Sequence, residues 1–346
     1  MASLIQFSKR VTLKDVAKMA GVSVGMASRV LGGYGSYSET TKERVSAAAE
    51  ALGYRPNALA RSLRLGRSKA IGLVTSNIQS YAWTTFICGF EAAAASHGYQ
   101  VILGATYDDP ATERAYLRSL QERNVDGIIV APVEENLDLV EMLVDSGMPV
   151  VLIGAEDLSL KAPCINVDNR SFARQATQHL LDLGHRRIGI VAGSLAVPSG
   201  KLRLLGYQDA LIAAGIEVEG ELIGIGNFGF EPAYAATIAL LDQKTPPSAL
   251  LVCNELMAGA ALQALKDRDF HIPEQMSIVA FDDPAWTSFH RPGITTVRTP
   301  HAEMAELALK ILLARLNDPD SEDAKPVKYV LRAELVVRES TAAPGG

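Results

Sequence analysis

Residues 12–31 read TLKDVAKMAGVSVGMASRVL, and they restrict the fold more tightly than any other stretch of the chain. Thr12 followed by Asp15 is a capping pattern for a first helix, and Val16, Ala17 and Ala20 supply that helix with an apolar face. Gly21 permits a left-handed turn, Val22 is apolar within it, and Ser23 stands where a second helix needs its cap. Ala27, Val30 and Leu31 then point inward while Ser28 and Arg29 point outward. Small residues around a tight turn let two helices pack at the angle of a helix-turn-helix. Ser38, Thr40 and Thr41 open a third helix, with Val45, Ala48, Ala49 and Leu52 at helical spacing. Gly53 and Pro56 close it.

The charge is divided sharply. Residues 1–69 hold 12 Lys and Arg against 4 Asp and Glu, whereas the remainder holds 21 basic and 35 acidic residues. A basic head on an acidic body expects a polyanion at the head alone. No uncharged apolar run approaches the ~18 residues of a membrane span, and Met1–Arg10 do not form a secretory signal. Cys88, Cys164 and Cys253 lie far apart, as reduced thiols in a cytoplasm do. The Gly-rich segment Val191–Ser194 carries neither a phosphate-loop lysine nor a nucleophile elbow, and the histidines are scattered. The expectation is a cytoplasmic, nucleoid-associated chain that is not an enzyme and has no metal and no cofactor.

Residues 11–65, through SETTKERVSAAAEALGYRPNALARSL, closely resemble the lactose/galactose repressor family, and the likeness continues more loosely to residue 341. The resemblance implies a transcriptional regulator, by default a repressor, that binds double-stranded, pseudo-palindromic operator DNA as a homodimer. It places Val24, Gly25 and Met26 in the major groove. Ser23, Ser28 and Arg29 match positions of phosphate and base-edge contact, and Thr12, Leu13, Tyr54 and Asn57 match backbone contacts. Gly25 offers no side chain for hydrogen-bonded readout and Val24 offers only apolar contact, so polar reading falls to Arg29. The resemblance makes residues 57–69 a hinge that folds on the operator, with Leu63 as a minor-groove wedge and Ala60 beside it. Asn57–Arg64 is shorter than the ~12–15 residues an isolated helix needs.

From residue 70 short apolar runs alternate with amphipathic stretches, which implies parallel sheets covered on both faces. The expected fold is an all-α helix-turn-helix head (11–56) followed by an α/β body (70–346) of two doubly wound parallel-sheet subdomains. By resemblance that body is like the periplasmic sugar-binding proteins. The expected subdomains are 70–165 with 295–325, and 166–294 with 326–340, the chain re-entering the second along Tyr329–Val337. A small effector would lie between them, beyond the strand ends. Ser76, Tyr81, Trp83 and Phe86 are candidates from the first strand and its loop. Arg203, Phe228, Asn254 and Asp282 match effector contacts of the family.

Arg, Asn and Asp together suit a polyol, and aromatic faces suit its C–H surface. Each residue also has a plainer reading. Asp282 or Asp283 caps a turn, Arg203 is a helix cation, Phe228 is core, or Trp83 lies at a subunit surface. Gly154 stands where some relatives place a ligand-binding carboxylate, which leaves the sugar class open. A purine-type corepressor is the alternative effector.

Overall fold

The computed structural model describes residues 11–54, 67–155, 161–318 and 325–345. The hinge residues Asn57, Ala60 and Leu63 lie outside them. The chain divides into two compact units, residues 1–69 and 70–346.

In the first unit, α1 (Leu13–Ala20), α2 (Val24–Gly32) and α3 (Glu39–Ala51) enclose a small core of Val16, Ala17, Ala20, Ala27, Val30, Val45, Ala48 and Ala49. The caps read from the sequence form. The main-chain N–H of Thr12 donates to Asp15 Oδ2 at 2.8 Å, and Ser23 Oγ accepts from the N–H of Met26 at 3.1 Å. Gly21 and Gly33 end α1 and α2 at φ +64° and +69°. Arg44 of α3 donates to the carbonyls of Ala20 and Gly21, so a guanidinium neutralises the electronegative end of α1.

The body holds two six-stranded sheets. The first has the order β11-β5-β4-β3-β1-β2, from β1 (Ala70–Thr75), β2 (Gln100–Ala105), β3 (Gly127–Val130), β4 (Val150–Ile153), β5 (Cys164–Val167) and β11 (Lys328–Leu331). Alternation along its strands feeds two separate cores. Ile71, Leu73, Ile129 and Val151 pack with Phe86 and Phe90 of α4 (Tyr81–Ser96) and Leu309 and Leu312 of α12 (His301–Asn317). Val74, Ile128, Val130 and Leu152 pack with Leu117 of α5 (Pro110–Glu122) and Leu143 of α6 (Leu137–Asp145).

The second sheet has the order β12-β10-β9-β8-β6-β7. Its strands are β6 (Ile188–Ala192), β7 (Ile223–Ile225), β8 (Ala249–Val252), β9 (Ser277–Phe281), β10 (Thr295–Arg298) and β12 (Glu334–Val336). Around it lie α7 (Asn169–Asp182), α8 (Pro198–Ala213), α9 (Phe230–Leu241), α10 (Glu255–Asp267) and the short α11 (Ala285–Phe289). All neighbours in both sheets are parallel except β12, which runs antiparallel to β10.

The crossings between sheets differ from the sequence expectation. Thr295–Arg298, expected in the first subdomain, continue the second sheet beside β9. The single strand expected over Tyr329–Val337 is two strands in two different sheets. Lys328–Leu331 pair with β5 of the first and Glu334–Val336 with β10 of the second. Arg332 and Ala333 therefore form the third crossing, after Asp168 and after Thr299–Pro300. Edge pairing decides this, because β5 and β10 each leave one side open for a late strand. The last residues lie across the second sheet. Ser340 Oγ donates to Ile278 O at 2.7 Å, and His185 Nε2 lies 2.9 Å from Ala342 O.

Candidate functional sites: a DNA-reading face and a ligand cleft

On the head, Ser23, Val24, Gly25 and Arg29 are exposed and Met26 is half-buried, at the start and outer side of α2. A Cβ on Gly25 would meet nothing nearer than Ser23 Oγ at 4.0 Å, so the position is open outward. Ser28 is half-buried, with its hydroxyl 3.1 Å from that of Tyr34. Leu13 and Tyr54 pack on the edge of the head core, each only partly buried. Arg29 runs alongside Gly35, where an added Cβ would lie 3.2 Å from its Cδ.

In the body, a cavity of about 330 Å³ lies between the two sheets, beyond the carboxyl ends of their strands. Its position follows from topology. The order reverses at β3-β1-β2 and at β8-β6-β7, and ligands bind at such switch points. Ser76 follows β1, Asn254 follows β8 and Asp282 follows β9, and all three line it.

The polar centre is compact. Arg203, only 7% exposed on α8, donates through Nε to Asn169 Oδ1 at 2.8 Å and through Nη1 to Cys253 O. Its guanidinium lies 4.1 Å from the ring centre of Phe281. It is thus a buried, doubly anchored cation and not a solvent-facing one. Asp282, 2% exposed and at φ +70°, accepts from His301 Nε2 at 2.8 Å. Burial works against its charge, but His301 and Arg203 hold its carboxyl below the usual range. Asn254 caps α10 through Oδ1, which accepts from the N–H of Met257 at 2.8 Å.

The aromatic wall is built by contact. Trp83 meets Phe86 edge to face at 5.7 Å, and Phe86 stacks on Phe90 at 6.1 Å. Phe228, at φ +57°, lays its ring over Gly193, where a Cβ would fall 2.1 Å from Cζ. Trp83, Phe86 and Phe228 all line the cavity.

Tyr81 does not line it. Its N–H donates to Glu255 Oε1 at 2.7 Å and its hydroxyl to Asp283 O at 3.4 Å, so it ties one subdomain to the other. As the first residue of α4, it is turned by the helix away from the cleft that Ser80 and Ala82 face. Residue type alone did not point to Tyr107, Asp108, Asn166, Asn169 and His301, which line the cavity. Tyr107 and Asp108 are consecutive left-handed residues, at φ 52° and 59°, a signal that only backbone geometry carries. Asn169 and His301 begin helices at the crossings. Gly154 lines the cavity at φ +74°, with open space where its Cβ would stand. The left-handed backbone, and not crowding, explains the glycine there.

Below the cleft, Glu113 is fully buried and accepts from the N–H of Val133 and from Asn136 Nδ2, both at 3.1 Å. Burial lifts its carboxyl to about 7. The folded protein therefore keeps a proton that the unfolded chain, titrating near 4.5, has already lost. The stability it contributes is full below about pH 4.5 and is lost as pH rises to about 7. Melting temperatures measured from pH 4.5 to 8 should fall across that window, and Glu113→Gln should flatten the fall.

Two family descriptions match the chain. The periplasmic binding protein-like domain covers residues 177–341, and bacterial regulatory proteins of the lacI family cover residues 12–57. The HTH-type transcriptional regulator CelR of Thermobifida fusca is 34% identical over 342 residues, 96% of this chain and 98% of that protein. The chain belongs to the lacI family.

Like other lacI-family members it is a DNA-binding transcriptional regulator with a ligand-binding body, not an enzyme. The HTH-type transcriptional repressor PurR of Haemophilus influenzae (strain PittEE) is 32% identical over 95% of this chain and 98% of that protein. Among solved structures, the lac repressor dimer bound to operator and the anti-inducer ONPF aligns with TM-score 0.86 at 26% identity, covering 97% of this chain and 100% of that one. A CelR–cellobiose complex aligns with TM-score 0.71 at 32% identity, covering 96% and 100%. Among the described residues no helix is long and apolar enough to cross a membrane.

Proposed function

We propose that this protein is a homodimeric repressor, acting in the cytoplasm at the nucleoid, whose affinity for a pseudo-palindromic operator is set by an uncharged carbohydrate-like effector in the cleft. The observation that carries the effector class is the pairing of a buried Arg203–Asp282–Asn254 centre with the Trp83, Phe86 and Phe228 wall. The first supplies fixed donors and acceptors for hydroxyl groups, and the second supplies faces for a pyranose ring. The relative crystallised with cellobiose supports this class. Aromatic faces also accommodate a planar base, so a purine-type corepressor is the second reading, and the repressor PurR is among the relatives. Thermal-shift titration of the whole chain with neutral mono- and disaccharides, sugar acids and nucleobases decides between them. Stabilisation by a nucleobase alone would reject the carbohydrate reading.

On the head we assign base reading to Val24, Gly25, Met26 and Arg29, with Ser23, Ser28, Thr12, Leu13 and Tyr54 fixing register on the backbone. Asn57, Ala60 and Leu63 of the hinge complete this assignment by family likeness. One recognition helix spans only a few base pairs, so two heads on two half-sites are needed. Gly25→Gln adds a bidentate donor and acceptor at an open position, which favours adenine at the base pair it faces. Selection from random duplexes should return a changed half-site for this variant. An unchanged half-site would remove Gly25 from the reading face.

A further inference from the structure

The helix α4 begins without a cap of its own. Ser80 stands at the N-cap position, yet its side chain makes no capping hydrogen bond. The first N–H of the helix, from Tyr81, is met instead by the carboxylate of Glu255 at 2.7 Å. Glu255 is the first residue of α10 in the other subdomain, so the cap comes from across the cleft. Its geometry is that of a charge-assisted bond at the positive end of a helix. The Tyr81 hydroxyl reaches Asp283 O on the same opposite wall, giving the clasp a second strand.

The environment of Glu255 shows that the contact is costly to form. The residue is 8% exposed, and Oε2 has no hydrogen-bond partner among the described residues. Burial raises its carboxyl, and the charge of Asp282 raises it further. A carboxylate held there with one oxygen unsatisfied needs the Tyr81 N–H to stay in place.

The residues beside each anchor are the ones that face the cavity. Ser80 and Ala82 flank Tyr81, Asn254 precedes Glu255, and Asp282 precedes Asp283. We infer that Glu255 is a positioning residue for the allosteric switch, a cap supplied by one subdomain to a helix of the other that fixes the angle of the cleft. An effector group that donates to Asp282 offsets the negative charge that opposes ionisation of Glu255, and so favours the clasp. Movement of Asn254 or Asp282 is passed to α4 through one peptide bond.

This rests on the reading of the cleft as the effector site, but it is tested without an effector. In the full-length chain, hydrogen exchange at the amides of Tyr81–Trp83 should quicken at least tenfold in Glu255→Ala. The interior of α4, near Phe90, should be unchanged. Glu255→Gln, whose amide oxygen still accepts, should stay within about threefold of the parent. Spin labels at the exposed Gln121 and Gln175, in a Cys88→Ser background diluted with unlabelled chain, report the two subdomains directly. Their distance distribution should broaden in Glu255→Ala and remain narrow in Glu255→Gln. Unchanged exchange and an unchanged distance in Glu255→Ala would overturn the clasp. Equal broadening in both variants would overturn the role of the accepting oxygen. Failure of every saccharide to bind would instead reject the proposed effector and leave the clasp standing.

Discussion

Asp282→Ala is expected to abolish the effector response and to destabilise the body by roughly 3–5 kcal/mol, the cost of removing one partner from a buried charge pair. Asp282 is enclosed, accepts from His301 at 2.8 Å and shares its field with Arg203. Alanine leaves the buried His301 without its acceptor and removes the carboxylate whose charge Arg203 helps to hold. Asp282→Asn separates the two effects, since it keeps the shape and an acceptor for His301 while removing the charge. Chemical denaturation should place the Asp282→Asn variant between the parent and the alanine variant. Operator binding titrated with the saccharide identified by thermal shift should show no response in either variant. An effector affinity within twofold of the parent would exclude Asp282 as a contact.

The second large effect lies away from the cavity. Gly206→Val should cost more than about 4 kcal/mol, at the upper end of single-residue effects. A Cβ on Gly206 would fall 2.1 Å from the carbonyl oxygen of Arg170 and 2.8 Å from the Ala173 Cβ. The first of these is main chain, so no rotamer relieves the clash. α7 and α8 approach backbone to backbone here, and Arg203 lies one turn earlier on α8. Denaturation of the variant should show early loss of the body. A midpoint within about 1 kcal/mol of the parent would mean that the two helices can part freely.

Much of this was legible in the sequence because the relevant signals are local. Thr12 with Asp15, Ser23 and Gly21 announce caps and a left-handed turn by residue type alone. Long apolar strands such as Ile188–Ala192 announce themselves by composition. Cys164–Val167 and Thr295–Arg298 did not, because Asn166, Thr295 and Thr296 are polar yet buried. Their burial depends on partners distant in the chain. Tyr329–Val337 reads as one extended run, and only the competition between two sheet edges splits it. In the site, Arg203, Asn254 and Asp282 were accessible through family likeness. Tyr107 and Asp108 required knowledge of φ, and Tyr81 lay one residue off a helical face.

The three crossings set a timetable for the newly made chain. The head has all of its core within residues 13–54 and can fold as soon as it leaves the ribosome. Neither sheet of the body is complete until Lys328–Leu331 and Glu334–Val336 have emerged, because those strands are the outermost members of the two sheets. Synthesis therefore delivers a foldable reading head well before the sensor that governs it. A ribosome stalled before residue 328 would release a fragment able to fold its reading head but without either finished sheet.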